Sequence, residues 1–289
     1  MYSLLDFGQG RKLERFGQWV LNRPAPAAEG KIFKLPSSAW QRADARYELA
    51  HDEKPGGLRG TWHDRSKLPD AWPLDCGTFC LELRRTEFGH LGVFPEQAGN
   101  WPWIAEQIRV ADQPLKVLNL FAYTGGSTLA AAAAGAEVTH VDAAQNVVTW
   151  ARRNAELSGL QAAPVRWIAE DAVKFARREL KRGRQYDAVI LDPPSYGHGP
   201  AGEVWKLADD LSKLLELCRE LTAGRPRFML LSCHTPQFDG PALRKMFGEA
   251  TGLQSNGRDG CCQSLNMDLQ TPDGRKLPCG VALRFQAEQ

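Results

Sequence analysis

The rhythm of apolar and polar positions changes once along this 289-residue chain, near residue 104. Beyond residue 114, short apolar runs alternate with longer stretches of helical period. Residues 117–121, 137–141, 165–168, 188–191 and 227–231 read as strands, and residues 126–134 and 144–158 as helices. A helix is expected in each remaining gap. Such alternation predicts right-handed βαβ units and a parallel sheet. The end of the chain departs from it. Residues 253–259 and 281–285 read as two successive strands with no helix between, which suits a hairpin closing one sheet edge. Before residue 104, short segments broken by Gly and Pro replace the helical period, and residues 16–21, 46–50, 58–62 and 78–83 read as strands. The expected architecture is α/β, with a small, mainly antiparallel β domain over residues 1–103 and a parallel-sheet domain over residues 104–289.

Composition narrows this picture only a little. Apolar residues make up 43% and charged residues 24% of the chain, as in ordinary globular proteins. The net charge of +2 demands no polyanionic partner, so any nucleic-acid footprint has to be a local patch. Arg11, Lys12, Arg15, Lys31 and Lys34 form the loosely basic stretch available for one, and a merely solvated surface explains them equally. No basic-then-apolar leader is read at the start, and no apolar run nears the roughly 18 residues of a membrane span. Seven cysteines without secretory context point to free thiols in a reducing cytoplasm. Neither Cys76-x-x-x-Cys80 nor Cys261-Cys262 fits a zinc framework, so no metal is expected. Six of the nine tryptophans precede residue 104, where filling a small core is preferred to stacking on bases.

In an open parallel sheet, ligands bind beyond the carboxyl ends of the strands. The first such end is Asn119-Leu120-Phe121-Ala122-Tyr123-Thr124-Gly125-Gly126, running into a helix. Its paired glycines admit a ligand close to the backbone, and the helix N-terminus favours negative charge. After the second strand stands Asp142, able to accept from both hydroxyls of a ribose. After the third come Glu170 and Asp171, where a carboxylate can receive an adenine amino group. Asp142 and Asp171 can each equally cap the helix that follows. Three adenosine-compatible strand ends in succession favour a nucleoside cofactor. The G-x-G-x-x-G of dinucleotide sites is absent, and a turn with only Gly125 and Gly126 suits the amino-acid end of S-adenosylmethionine better than a pyrophosphate.

The fourth strand end is the most specific: Asp192-Pro193-Pro194-Ser195-Tyr196-Gly197-His198-Gly199-Pro200. Two prolines fix φ and remove two donors, which lets the Pro193 carbonyl and the Asp192 carboxylate face a flat base. After the fifth strand come Ser232, Cys233 and His234. Cys233 at a strand mouth is a candidate nucleophile where its thiolate is favoured, and otherwise a small buried hydrophobe. Cys218 reads as core. His198 and His234 are candidate proton carriers or polar lining.

The set Asn119–Gly126, Val141-Asp142, Asp192–Tyr196 and Ser232-Cys233 resembles the class I methyltransferases, and within them the large-subunit (23S) ribosomal RNA cytosine-C5 methyltransferases and their relatives. Gly92-Val93-Phe94-Pro95-Glu96-Gln97 resembles that family's segment leading into the catalytic domain. The resemblance spans roughly residues 85 to 285. It implies a Rossmann-like sheet of order 3-2-1-4-5-7-6 with the last strand antiparallel. It also implies a cytoplasmic enzyme acting on RNA in ribosomal RNA processing. Phe94, Gln97, Asn119, Phe121, Tyr123, Thr124, Gly125, Gly126, Asp142, Asp171, Asp192 and Pro193 would bind S-adenosylmethionine. Pro194, Ser195 and Tyr196 would bind the target, and Asp192 and Cys233 would be catalytic. In cytosine-C5 chemistry a thiolate adds to C6, C5 takes the methyl, and a base removes the C5 proton before the thiol leaves. Two departures stand out. The second cysteine of many such enzymes is here Ser195, and the N-terminal RNA-binding module of the best-known relatives is not recognised in residues 1–100.

The same residues admit other readings. An exocyclic amino methyltransferase, acting on a nucleobase or a glutamine side chain, uses an Asp/Asn-Pro-Pro-aromatic motif, but here Ser195 displaces the aromatic Tyr196 by one position. A cofactor-binding RNA module without catalysis and a nicotinamide oxidoreductase complete the set.

Overall fold

The computed structural model describes residues 1–50, 59–199, 202–253, 256–257 and 260–288. Leu58 at the head of one expected strand, Pro200, and most of the strand expected over residues 253–259 lie outside the described residues. The chain forms two compact units: Met1–Glu96 with Asp268–Cys279, and Gln97–Met267 with Gly280–Gln289.

The first unit is built on a five-stranded sheet in chain order: β1 (Tyr2–Gly8), β2 (Arg11–Phe16), β3 (Trp19–Pro24), β4 (Ala45–Leu49) and β5 (Gly60–Asp64). All neighbours are antiparallel except β3 and β4. A short helix α1 (Ser37–Gln41) precedes β4, and β6 (Ala71–Asp75) pairs with β7 (Cys80–Arg84) as a separate hairpin. The single strand expected over residues 16–21 is instead a hairpin turn. Gly17, at φ 65°, and Gln18 reverse the chain, and Phe16 pairs with Trp19. The apolar residues on either side of a tight turn had read as one run. Strands β1 and β2 escaped the pattern because each holds a fully buried acid. Asp6 accepts from the backbone of Phe7, Lys34 and Leu35 and from Trp40 Nε1, and pairs with Arg275. Glu14 pairs with Arg23 at 2.7 Å. Buried acids survive only with such partners.

The second unit follows the strand–helix alternation. Its elements are α2 (Asn100–Arg109), β8 (Lys116–Leu120), α3 (Gly126–Ala133), β9 (Glu137–Asp142), α4 (Gln145–Leu157), β10 (Val165–Ala169) and α5 (Ala172–Lys181). There follow β11 (Ala188–Leu191), a small ribbon of β12 (Tyr196–His198) and β13 (Val204–Lys206), α6 (Leu207–Leu221), β14 (Phe228–Cys233) and α7 (Gly240–Thr251). The chain ends in β15 (Asn256–Gly257), β16 (Gly260–Gln270) and β17 (Lys276–Gln286). The sheet order is β10-β9-β8-β11-β14-β17-β16-β15. Its first five strands are parallel and β17 runs antiparallel to β14. This is the expected 3-2-1-4-5-7-6 order with one short strand added at the edge. The neighbour of β17 is β16 rather than the strand expected over residues 253–259. The small and polar residues of β16, Cys261 to Ser264 among them, concealed its alternation.

Side chains of the central strands alternate between two cores, as period-two geometry requires. Leu118, Leu120, Val189, Leu191, Met229, Leu231 and Cys233 join Phe175, Leu214 and Phe247 of the flanking helices on one side. Val117, Ala188, Ile190, Phe228 and Leu230 join Ile104, Ile108 and Ala131 on the other. That register decides which residues at the ends of β11 and β14 reach the crevice.

Candidate active site

The turn after β8 is conformationally unusual. Phe121, Tyr123 and Gly125 all have positive φ, at 56°, 49° and 91°. Two non-glycine residues in this region carry strain, and strain persists only where neighbours impose it. The neighbours are identifiable. Tyr123 N donates to Asp142 Oδ2 at 2.9 Å, and Asn154 Nδ2 on α4 donates to the Thr124 carbonyl at 2.8 Å. The two glycines do different work. Gly125 supplies the left-handed start of α3, whereas a Cβ on Gly126 would lie 3.1 Å from the Trp101 ring of α2. Asn119 does not face the crevice. It is buried and donates to Thr128 Oγ1 at 2.9 Å, and Thr128 in turn bonds His140 Nδ1 at 2.9 Å. A polar chain thus runs beneath the turn.

Asp142 ends β9 and binds backbone on both oxygens, Tyr123 N on one and Ala144 N, at 3.0 Å, on the other. Burial raises its carboxyl above the ordinary value against the pull of these two donors. Each oxygen keeps acceptor capacity for a further hydroxyl. Asp171 caps α5, accepting from Lys174 N at 2.9 Å through Oδ1. Both acids therefore cap local backbone at the carboxyl ends of β9 and β10. Phe94 belongs to the first unit, where its ring meets His90 edge-on at 5.5 Å.

Asp192 is the best-connected side chain of the site. Its Oδ2 accepts from Gln97 Nε2 at 2.9 Å, and its Oδ1 from Ser232 Oγ at 2.6 Å and His234 Nε2 at 3.2 Å. Gln97 also donates to Ser232 Oγ at 2.9 Å, and its own carbonyl accepts from Asn100 Nδ2 at 2.6 Å. Arg284 completes the line, donating to Asn100 Oδ1 at 2.7 Å. Burial alone would raise the Asp192 carboxyl. The bonds and charge of His234, with Ser232 and Gln97, overcome that and hold it below the usual carboxylate value. Its side chain remains about a quarter exposed, at 24%, so an ionised carboxylate meets the crevice.

Cys233 takes the second of its two expected settings, that of a small buried hydrophobe. Alternation along β14 turns Ser232 toward Asp192 and sends Cys233 to the opposite face, 1% exposed among core residues. Burial raises its thiol above the ordinary value, hydrogen bonds with Thr235 offset part of this, and the nearby Asp192 charge adds to the rise. The acceptor-side segment is anchored firmly. Pro193 is buried, Pro194 is exposed, and the Pro194 carbonyl accepts from Trp205 Nε1 at 2.7 Å. Ser195 Oγ lies 2.6 Å from Thr235 Oγ1, and Tyr196 is exposed on the ribbon. Trp205, Asn154 and Asn100 were missed from sequence, and Ser232 was noted there without its bond to Asp192. Only Ser232 left a usable signal, since strand alternation places it and Cys233 on opposite faces.

Among the described residues no group of three or more His, Cys, Asp or Glu side chains is placed to hold a metal, and no helix is long and apolar enough to cross a membrane. Residues 37–253 match the family model for S-adenosylmethionine-dependent methyltransferases. The crystal structure of the S-adenosylmethionine-dependent methyltransferase from Agrobacterium tumefaciens is 38% identical to this chain. It superposes with a TM-score of 0.90 over 99% of this chain and 90% of that one. The ribosomal RNA large subunit methyltransferase I of Aeromonas salmonicida is 38% identical over 105 residues, 36% of this chain and 24% of that protein. The ribosomal RNA large subunit methyltransferase K of Neisseria meningitidis serogroup B is 31% identical over 111 residues, 38% of this chain and 31% of that protein. The match thus spans about a quarter to a third of the length of these curated relatives.

Proposed function

The chain belongs to the S-adenosylmethionine-dependent methyltransferases, and from that premise we propose that it methylates a base of RNA, ribosomal RNA foremost, with Asp192 meeting the acceptor. The names of the two curated relatives support RNA as the substrate, and ribosomal RNA would set the work in the cytoplasm. The observation that carries the acceptor side is the Asp192 network: an ionised, partly exposed carboxylate fixed by Gln97, Ser232 and His234 at the end of β11.

The residues present fit the cofactor. The left-handed turn Phe121–Gly125 offers a backbone cradle, and Asp142 and Asp171 keep acceptor capacity for a ribose and an adenine amine. Pro193 would floor the same crevice, and Pro194, Ser195 and Tyr196 would border the target. When bound, S-adenosylmethionine supplies an electrophilic methyl group on a sulfonium sulfur. The protein's part is to hold a nucleophilic atom in line with it and to exclude water.

Two routes to the acceptor differ in what they ask of Cys233. A cytosine-C5 route needs its thiolate, and burial beside the Asp192 charge opposes one. Direct transfer to an exocyclic amine needs only an acceptor for the N–H, and a carboxylate held below its usual range suits that role: it orients the amine and steadies the charge that develops on nitrogen. The geometry therefore favours direct transfer.

The test is mass analysis of modified nucleosides from total RNA of a deletion strain, followed by transfer of labelled methyl to that RNA by the purified protein. A single nucleoside missing in the strain and restored in vitro is the expected result. Cys233→Ala is expected to keep transfer within about threefold. Its abolition, together with a trapped adduct on 5-fluorocytidine RNA, would restore the C5 route. Absence of any RNA change would overturn the substrate reading.

A further inference from the structure

Strand β17 sets Arg284 opposite Leu230 of β14, and cross-strand partners share a face of the sheet. Leu230 meets Ile104 and Ile108 of α2 on that face. Ser232, two residues further along β14, shares it, and Cys233 does not. The same face receives Gln97, in the helical turn Pro95–Gly99 that leads into α2, and Asn100, the first residue of α2. Arg284 and Asp192 thus stand at the two ends of one line of buried polar side chains.

Arg284 is half-buried, with its guanidinium 5.1 Å from the centroid of the Trp103 ring, and burial lowers its pKa. No carboxylate pairs with it among the described residues. Its N–H groups go instead to neutral oxygens: Nε and Nη2 to Asn100 Oδ1 at 3.1 and 2.7 Å, and Nη2 to the Gly99 carbonyl at 2.6 Å. A partly desolvated cation ordinarily has an anion beside it. Here the anion reached along the hydrogen bonds is Asp192, two amides away. A guanidinium only donates and an ionised carboxylate only accepts, so the two ends fix the sense of both amides. Asn100 turns Oδ1 to Arg284 and Nδ2 to Gln97 Oε1, at 2.6 Å, and to the Met267 sulfur, at 3.6 Å. Gln97 is left with Nε2 for Asp192 and Ser232, each at 2.9 Å. Reversing either amide would set donor against donor at Arg284 or acceptor against acceptor at Asp192.

We propose that Arg284 is a positioning residue for methyl transfer, acting on Asp192 through Asn100 and Gln97. The dipoles of the two amides lie head to tail between cation and carboxylate, and bonds in such a chain polarise one another. Arg284 thereby orients Asp192 and favours its ionised form without touching the acceptor. His234 is in direct contact with Oδ1 of Asp192, and the line from Arg284 serves the other oxygen, Oδ2. The inference rests on reading Asp192 as the group that meets the acceptor, and not on what the acceptor is.

The full chain, carrying aspartate labelled at the side-chain carboxyl carbon, is titrated by NMR, with the Asp192 resonance assigned by its loss in Asp192→Asn. In Arg284→Met that resonance should titrate about one pH unit higher, the scale of coupling within one hydrogen-bond network. Arg284→Lys, which keeps the charge and donors, should hold it near the wild-type value. Asn100→Leu, which leaves Arg284 in place, should raise it as Arg284→Met does, and adding Arg284→Met to it should change nothing further. A resonance unmoved in Arg284→Met would overturn the inference whatever the acceptor. Equal rises with and without Asn100 would do the same, because they mark an effect through space or packing. Labelled methyl transfer to total RNA from a deletion strain is measured beside it. Arg284→Met should slow transfer about tenfold, and Arg284→Lys should keep it close to wild type. Wild-type transfer that survives intact in Asp192→Asn would overturn the reading of Asp192 itself. The thermal unfolding midpoint of each variant separates a broken relay from a lost fold.

Discussion

Asp192 receives hydrogen bonds on both oxygens, and its donors are not free to rearrange. Gln97 can offer only its amide nitrogen, because its carbonyl is taken by Asn100, which Arg284 holds in turn. An asparagine at position 192 would set its NH2 against either Gln97 or the Ser232–His234 pair, a donor facing donors. Asp192→Asn should therefore lower methyl transfer to the acceptor about 10²- to 10³-fold, the scale of removing a preorganised electrostatic partner. Gln97→Ala should lower stability by about 1–3 kcal/mol by leaving a carboxylate underserved. The pH dependence follows from the direction of the shift. Because the Asp192 carboxyl titrates below the ordinary range, wild-type activity should show no Asp192 step between pH 5 and 8. Gln97→Glu would place a second carboxylate beside it, raise its pKa and draw an activity step into the acid range. A pH–rate profile of both proteins checks this, and a step in the wild type would show that Asp192 is not held ionised. The motif itself was visible in the sequence as Asp-Pro-Pro at a strand end. Its bonds to Gln97, Ser232 and His234 were not, because those residues, each noted for itself, come together only through folding.

At the scale of elements, the antiparallel β17 presses closely on the carboxyl end of β14. Gly280 has φ 138°, and a Cβ there would stand 2.4 Å from the Cys233 carbonyl oxygen. Backbone cannot yield as a flexible side chain would. Gly280→Ala should destabilise the second unit by about 2–3 kcal/mol, joining a strained φ to a backbone clash. It should also reduce methyl transfer, because the disturbed peptide leads into His234, whose Nε2 bonds Asp192. Gly159→Ala is the control, with φ 70° and nothing within 4 Å of an added Cβ. It should cost about 1 kcal/mol and leave transfer intact. Equal losses in the two variants would mean that strain alone, not contact with β14, makes Gly280 necessary. The strand–helix alternation after residue 114 was legible because central parallel strands such as Ala188–Leu191 are apolar throughout. The hairpin of β16 and β17 was half legible, its first strand being mostly small and polar. In the first unit, Asp6 and Glu14 interrupt the apolar pattern of β1 and β2, and their partners Arg275 and Arg23 lie on other segments of the chain.

At the scale of the whole molecule, both units bury acids, and the second also buries a histidine. His140 in the second unit is fully buried. Thr128 accepts from Asn119 and so gives its hydroxyl hydrogen to His140 Nδ1, which leaves the imidazole neutral with its proton on Nε2, an atom with no protein partner among the described residues. Burial, with a smaller push from Arg152, lowers its pKa to about 3. The unfolded chain takes up that proton near pH 6.5 and the folded one only near 3, so the stability from neutral His140 is full above 6.5 and drains away as pH falls between those values. From pH 7 to pH 5 the loss is about 2 kcal/mol. In the first unit, His90 is also lowered by burial and by Arg23 and Lys12, but its ring is exposed and solvent screening keeps its effect small. Below about pH 4 a second loss begins in both units. Asp6 and Glu14 in one, and Glu179 and Asp192 in the other, are held below their ordinary values because hydrogen bonds and cations outweigh the cost of burial. A lowered acid contributes stability above its unfolded pKa and loses it as pH falls through the folded one. Amide hydrogen exchange read by mass spectrometry at pH 7 and pH 5, corrected for intrinsic rates, should show peptides of the second unit losing protection while those of residues 1–96 hold theirs. His140→Gln keeps an acceptor for Thr128 and removes the titration, so it should abolish that difference. Parallel loss in both units, or a difference that survives His140→Gln, would place the acid sensitivity elsewhere than in the polar chain beneath the cofactor turn.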